Sequence, residues 1–480
     1  MKRNKRRQIS TFAILLCVLL LVAIATWLAQ GNVYTDPETG TERTVTGASL
    51  GEILMAPVNG WHDAGDVIAF VFCLGAFLSI VTATGALETG IHVLVRKLRG
   101  KEIALIWLLM FVFSVGGTTF GMGEESVGFY ILLAATMLAA GFDPLVGAAT
   151  VLLGAGSGVL GSTINPFATG AAVAAAGVAV NMGVLYALGL ILWLVTYAIA
   201  ALFVTRYARA VQAGKGSVLT AEQLSACRAA YGGSSEIDEN VKLTGRQKLV
   251  LAIFGVSFAV MILGFIPWQE LSTPVFHALG WSGFLTGSPF GQWWFDDAGT
   301  WFLLMGVVCG LVGLEDRSKL MRCIVSGFAD MISVNLVIAL ARAATVLMDV
   351  SGLGTWLVEA SVTALSTTGL PASIFCVLDY LLHIGLSFLV PSSSGLAGLS
   401  APIVSPVVRG MGWSVEASLM IGVAANGFVN LFTPTCGFIM GGLALARVPY
   451  ESWLKWAAKA LAVIGVVTGV ILTAAMLILS

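Results

Sequence analysis

Four short polar segments, each set in a long apolar stretch, hold the side chains best suited to gripping a small charged molecule. Two lie in the first half, Gly116 to Ser126 (GGTTFGMGEES) and Gly161 to Pro166 (GSTINP). Two lie in the second, Pro391 to Gly395 (PSSSG) and Asn426 to Thr435 (NGFVNLFTPT). A helix broken inside a membrane exposes its ends. N-termini offer N–H groups and a partial positive charge to anions, while unwound carbonyls and C-termini suit cations. Hydroxyl and amide oxygens add neutral ligands of the kind Na⁺ accepts. The candidate substrate ligands are therefore Glu124, Glu125, Ser126, Ser162, Thr163, Asn165, Arg342, Ser392, Ser393 and Ser394. Those for a coupling ion are Asn165, Asn426, Asn430, Thr433 and Thr435. Singly, such residues read as helix-packing positions; four clusters placed alike in two halves read as a transport site.

The charged candidates carry more specific chemistry. A carboxylate within a membrane helix costs roughly 2.5–3.5 kcal/mol on insertion scales, so it is usually functional. Glu124 and Glu125 would bind a cationic group or carry a proton, unless they sit at the water surface of a re-entrant loop. Arg342, inside the apolar run Val334 to Met348, suits a substrate carboxylate through its planar fork. It could equally pair with Asp330 or Asp379. Asp379 and His383 are four residues apart and share a helix face, as a proton relay or a local polar contact would require. His62, His92 and His277 lie at span edges and carry no signal.

Other patterns carry no chemistry. Gly156-Ser157-Gly158-Val159-Leu160-Gly161 matches G-x-G-x-x-G, but no strand precedes it; with the overlapping Gly154-x-x-x-Gly158 it reads as close helix packing. There is no H-E-x-x-H, P-loop or paired CxxC, and none of the seven cysteines has metal or redox spacing. The expectation is a protein that is not an enzyme and that needs no cofactor beyond a coupling ion such as Na⁺.

The composition says what must hold these residues. Of 480 residues, 58% are hydrophobic and only 11% charged, against roughly a quarter charged in a soluble domain. The chain cannot cover a water-facing surface, and its 56 Gly exceed what ordinary soluble helices carry. The fold class is all-α polytopic membrane protein, its main partner the lipid bilayer. A net charge of -1 removes any case for nucleic acid, which needs a basic face. About ten to thirteen membrane segments fit at about 20 residues each.

Basic residues in short loops mark the cytoplasmic side. Lys2, Arg3, Lys5, Arg6 and Arg7 put the N-terminus there, before an uncleaved first span. Arg96 to Lys101, the stretch 205–248, Arg317 to Arg322 and Arg447 to Lys459 lie on the same side, whereas 30–63 and 267–297 lie outside.

Two internal matches indicate duplication. Thr84-Gly85 superposes on Ser351-Gly352 at an offset of 267, and Gly154 to Pro166 superposes on Gly422 to Pro434 at 268. One copy begins from outside near 64 and the other from inside near 323, so the repeats have inverted topology, a construction plan of secondary transporters. The resulting division is an N-terminal span (1–30), an extracytoplasmic loop (31–63), repeat 1 with its following span (64–204), a cytoplasmic linker (205–248), connecting spans (249–313), repeat 2 (314–446), and a cytoplasmic loop with the C-terminal span (447–480).

At these motifs the chain resembles the YfcC/ArcD-like group of bacterial carriers, related to the C4-dicarboxylate carrier DcuC within the ion transporter superfamily. The resembling segments are GMGEESVGFY (121–130), GSTINPFATG (161–170), ALARAATVL (339–347), PSSSGLAGLSAPIVSP (391–406), NLFTPTCGFIMGGLALARVPYESWLKW (430–456) and DPETG (36–40). The resemblance implies an inner-membrane secondary carrier with re-entrant helical hairpins and broken helices, working as a homodimer by an elevator-like movement. Its hairpin-tip ligands map onto Ser162, Thr163, Asn165, Ser392 to Ser394, Asn430 and Thr433. The chain departs from the family pattern at Ser126-Val127-Gly128, where a Thr and a Pro are common. Carriers in this group take basic amino acids or dicarboxylates. The Glu124–Glu125 pair with Arg342 points to a basic amino acid, moved by antiport or by Na⁺/H⁺ coupling. The alternatives are a C4-dicarboxylate or other organic-anion carrier and, more remotely, a channel.

Overall fold

A computed structural model describes residues 11–36, 39–97, 101–230, 242–266, 268–271, 273–367 and 369–480. The basic N-terminal cluster, Arg99, part of DPETG and the middle of the 205–248 linker lie outside these residues.

The apolar α1 (Thr11–Ala29) leads into an antiparallel hairpin of β1 (Val33–Thr35) and β2 (Glu42–Thr44). Ser49 and Glu52 close a capping box that starts α2 (Leu50–Asp63), each satisfying an otherwise orphaned N–H. Only Ala64 separates α2 from α3 (Gly65–Ala83), and the two form one interrupted column. Then come α4 (Ala86–Lys97), α5 (Glu102–Phe120), a 3₁₀ turn at Glu124–Ser126, α6 (Val127–Ala139) and α7 (Pro144–Leu160). A π-helical turn at Pro166–Gly170, α8 (Ala171–Ala175) and α9 (Met182–Gln212) complete this half. The connection holds α10 (Ala221–Ala230), α11 (Gly245–Phe265), the short α12 (Trp268–Leu271) and α13 (Thr273–Ala278), and α14 (Phe295–Gly313). The second half is α15 (Leu320–Ser351), α16 (Leu353–Ser366), α17 (Ala372–Leu389), α18 (Ser393–Gly410), α19 (Val415–Val429), α20 (Gly437–Leu445) and α21 (Tyr450–Leu479). Among the described residues nine helices are long and apolar enough to cross a membrane.

The halves have the same plan. Column, short helix, hairpin, broken helix and long final helix follow in order from α2 to α9 and from α15 to α21. Both columns end on a left-handed glycine, Gly85 at φ 68° and Gly352 at φ 73°. Glycine bears this conformation without the Cβ penalty, and these are the positions the sequence offset pairs. Packing is repeated too: α5 lies on α7 and α9 as α17 lies on α19 and α21. Between halves, α3 meets α15, α7 meets α19 and α9 meets α21, the relation a two-fold axis produces.

Hydrogen bonds sort the loops onto two faces. Asn181 N donates to Glu416 and Ser414 N to Ser480 Oγ, which gathers the starts of α9 and α19 and the end of α21 on one face. On the other, Gln247 Nε2 donates to Gly85 O, and Cys227 Sγ lies 3.7 Å from Arg447 O. Arg206, Arg209, Lys215, Arg317, Lys319, Arg322, Lys455 and Lys459 cluster toward this second, basic face. The α2–α3 column runs toward it and α15 runs away from it, so the repeats are inverted.

Two boundaries differ from the sequence expectation. Repeat 1 begins at Leu50 rather than 64, because α2, read as part of an extracytoplasmic loop, packs along α15. A Cβ on Gly60 would come within 2.3 Å of Ala339 O, and the intervening Asp63 and Asp66 disguised the column as a loop. α9 runs to Gln212, beyond the expected end at 204, whereas α15 begins at Leu320, within the expected 314–446. The G-x-G-x-x-G segment is close packing: a Cβ on Gly158 would sit 2.0 Å from Ser114 O, and one on Gly161 2.1 Å from Trp193 N.

Candidate functional site

Each repeat contributes a hairpin tip docked on a broken helix. In repeat 1, α5 stops at Gly121, which is left-handed (φ 76°), and α7 stops at Gly161. Thr163 joins the two breaks: its N and Oγ1 each donate to Thr118 O at 3.0 Å, while Thr118 Oγ1 donates to Gly161 O at 2.9 Å. Asn165 caps the π turn through Phe167 N, donates to Ser162 Oγ, and lies against Gly121, where a Cβ would meet its amide at 2.8 Å.

Repeat 2 solves the same problem with other side chains. Thr435 Oγ1 donates to Phe388 O near the end of α17 as Thr163 does to Thr118 near the end of α5. Asn426 Nδ2 donates to Val390 O and Pro391 O, and Asn430 Nδ2 to Pro391 O at 2.8 Å. Ser393 Oγ donates to Asn426 Oδ1, and Ser392 caps α18 through Gly395 N. Ser394 is exposed. Thr433 and Thr435 pair at 2.6 Å, and Asn430 Oδ1 is buried without a partner. These bonds satisfy the orphaned groups at helix ends, as a break within lipid depth demands. The polar candidates are therefore gathered in two clusters, one per repeat, rather than one.

The charged candidates meet at the first tip, where repeat 1 touches repeat 2. The 3₁₀ turn lies against α20, and a Cβ on Gly123 would contact the Phe438 ring at 3.1 Å. Glu125 is buried and accepts from Gly123 N at 2.9 Å, and Ser126 Oγ donates to Gly123 O. Arg342 reaches the cluster from α15 and acts electrostatically on Glu124, Asp349 and Cys436. Its pairing differs from both sequence alternatives. The partner is neither Asp330 nor Asp379 but Asp63, 3.6 Å away, with 31% and 45% of the two side chains exposed. Asp330 lies more than three turns back along α15, and Asp379 is buried beside His383 in α17.

Asp63, Asp66 and Asp349 are site residues that the sequence reading missed. Asp66 acts on Glu124 and accepts from Trp294 Nε1, and Asp349 lies near Asp63 and Arg342. The available signal was a pair of aspartates flanking a break between two apolar helical runs. Three carboxylates, Asp63, Glu124 and Asp349, thus adjoin one guanidinium, and Asp66 and Glu125 adjoin Glu124.

Below this cluster a cavity of about 1250 Å³ opens between α3, α6, α15 and α20. Its wall includes Gly128, one turn past the tip, and Arg228, Arg322 and Arg447 with Glu88 and Asp330. Among the described residues no group of three or more His, Cys, Asp or Glu is arranged to hold a metal ion.

Comparison with known proteins identifies the family. The model of the DcuC family, the C4-dicarboxylate anaerobic carriers, matches residues 8–477. An uncharacterized protein of Haemophilus influenzae is 28% identical over 407 residues, covering 84% of this chain and 74% of its own. YfcC of Escherichia coli, provisionally named a basic amino acid antiporter, is 25% identical over 97% of this chain and 96% of its own. Among solved structures, the Neisseria gonorrhoeae MtrF efflux pump aligns over 99% of this chain and 96% of its own, with a TM-score of 0.47 and 16% identity. The chain belongs to the DcuC family of carriers and is a multi-pass membrane transporter.

Proposed function

We propose that this member of the C4-dicarboxylate carrier family moves a basic amino acid, by antiport or with a coupling ion, through alternating access at the first hairpin tip. One observation carries the reading: Asp63, Glu124 and Asp349 adjoin Arg342, and Asp66 and Glu125 adjoin Glu124 in turn. An arginine, lysine or ornithine has two cationic groups and one carboxylate, so its amino groups match the surplus carboxylates and its carboxylate matches the guanidinium. A dicarboxylate at the same place would find one guanidinium among several carboxyl groups. The name given to the E. coli relative supports the same class.

A second reading has its own support. Arg228, Arg322 and Arg447 outnumber Glu88 and Asp330 in the cavity wall, and such a vestibule draws anions. The family's description as C4-dicarboxylate carriers favours that reading. Purified protein in a thermal-shift screen against basic amino acids and C4-dicarboxylates, with and without Na⁺, separates the two. Stabilisation by arginine, lysine or ornithine supports the first reading, and stabilisation by dicarboxylates alone replaces it with the second.

In this account Ser126, Ser162, Thr163, Asn165 and Ser392 to Ser394 line the substrate path. Asn426, Asn430, Thr433 and Thr435 offer oxygens to a Na⁺ ion, the unpartnered Asn430 Oδ1 being the freest. The positive-inside rule supports a cytoplasmic basic face and, with Lys2 to Arg7 in the sequence, a cytoplasmic N-terminus in a bacterial inner membrane. The family resemblance supports a homodimer and an elevator-like movement.

A further inference from the structure

Repeat 2 carries a polar group that has no counterpart in repeat 1. Asp379 and His383 lie on α17, where the offsets of 269 to 270 that align α17 with α5 put Leu109 or Met110 and Phe113 or Ser114. Duplication alone does not account for the pair, which is fully buried, with Asp379 at 0% and His383 at 2% exposure. His383 Nδ1 is 2.9 Å from Asp379 O and 3.0 Å from Asp379 Oδ1, yet neither carboxylate oxygen has a hydrogen-bond donor of good geometry. A buried carboxylate in that position is costly unless a proton neutralises it or charges its partner.

The far side of the imidazole faces a small void. A Cβ on Gly422 would stand 3.4 Å from His383 Nε2. His383, Ser393, Ser400, Ser405 and Ser418 line a cavity of about 20 Å³, enough for a single water and too small for an amino acid. Ser405 and Ser418 have no hydrogen-bond partner, so the void offers a water the two to four polar contacts it needs. Ser393 also donates to Asn426 Oδ1, and Asn426 holds the carbonyls of the second hairpin tip. The void therefore adjoins the tip's own hydrogen-bond network.

We infer that His383, Asp379 and the hydroxyl-lined void form a proton-binding site that couples transport to the proton gradient through the second hairpin tip. The inference names the coupling ion of the transport reading above and rests on that reading for its physiological use. Around His383 the charged determinant is Asp379. Cys376 and Tyr380 are the other titratable groups on α17 here; Cys376 is met from α21 by Thr473, and Tyr380 by Thr468. From α18 and α19 the void receives only serine hydroxyls among its polar groups.

Two measurements on the full-length chain separate failure of this inference from failure of the transport reading. The first is independent of substrate: ¹⁵N-histidine NMR of protein in nanodiscs, with His383 assigned by loss of its signal in His383→Gln. A single titration between pH 5 and 9 is expected, with its midpoint moved by Asp379→Asn. A His383 ring whose protonation state is constant over that range overturns the inference. The second uses proteoliposomes with an internal pH dye and external L-arginine, L-lysine, L-ornithine or succinate. Substrate-dependent acidification is expected in wild type, with at least a tenfold loss of acidification per substrate moved in His383→Gln and Asp379→Asn. Undiminished proton movement in folded variants, or uptake by wild type with no pH change, overturns the inference while leaving the carrier reading intact. Absence of uptake of every substrate counts against the carrier reading, and the NMR titration then decides the proton site alone.

Discussion

Arg342 on α15 stands 3.6 Å from Asp63 on α2, across the contact where the two repeat columns run side by side. The pair is partly exposed, and such pairs contribute about 0–1 kcal/mol to stability. A weak structural bond at a crowded carboxylate cluster leaves the guanidinium available to a ligand. Arg342→Gln is therefore expected to weaken substrate binding at least tenfold while changing thermal unfolding little, and Arg342→Lys to restore it only in part, because an ammonium lacks the bidentate fork. Isothermal titration beside a melting curve checks both. A large stability loss with unchanged affinity would make Arg342 a structural residue.

Glu124 and Glu125 differ in what holds them. Glu125 is anchored by Gly123 N, a bond a glutamine can keep, whereas Glu124 is half-buried beside Arg342. Glu124→Gln and Glu125→Gln are each expected to fold and to lose binding of basic amino acids by about 10- to 100-fold, the size of losing one charge-assisted hydrogen bond of about 1.5–3 kcal/mol. Wild-type affinity in both variants would remove the basis for choosing amino acids.

Helix contact between the first hairpin and its broken helix depends on absent side chains. Gly158→Ala would put a methyl 2.0 Å from Ser114 O, an overpacking expected to cost about 1–3 kcal/mol or more. Gly398→Ala, where nothing lies within 4 Å, should be neutral or stabilising by up to about 1 kcal/mol. Unfolding midpoints of the two variants in detergent test the contrast.

Cys227 reports on the strap that closes one side of the basic-face cavity. It is buried on α10, and that burial pushes its thiol up from the usual range, Arg447 opposing and Asp143 adding. Thiolate is the reactive form, so a raised value means less thiolate at neutral pH. Maleimide labelling, read by mass spectrometry, should be several-fold slower than for a free peptide thiol at pH 7 and rise at more alkaline pH. Labelling at the free-thiol rate at pH 7 would mean that α10 does not rest against Arg447.

The sequence carried the duplication well. The matched Thr84-Gly85 and Ser351-Gly352 fall on equivalent left-handed helix ends, and the Gly154 to Pro166 match falls on equivalent breaks. Backbone geometry that only glycine tolerates and helix breaks that need polar side chains leave such marks, because few residues satisfy either demand. What stayed hidden was pairing across the fold. The partner of Arg342, Asp63, is more than 270 residues away in a segment whose charges imitate a loop. Asp66 was obscured likewise, since long-range contacts follow from packing that no local spacing encodes.

Exchange across a membrane tests the central claim most directly. Proteoliposomes loaded with unlabelled L-ornithine, or given an inward proton gradient, should take up labelled L-arginine saturably, at a rate that falls sharply when both drives are omitted or when Glu124→Gln replaces the wild type. Exchange of succinate with no exchange of any basic amino acid, or uptake that never saturates, would contradict the account.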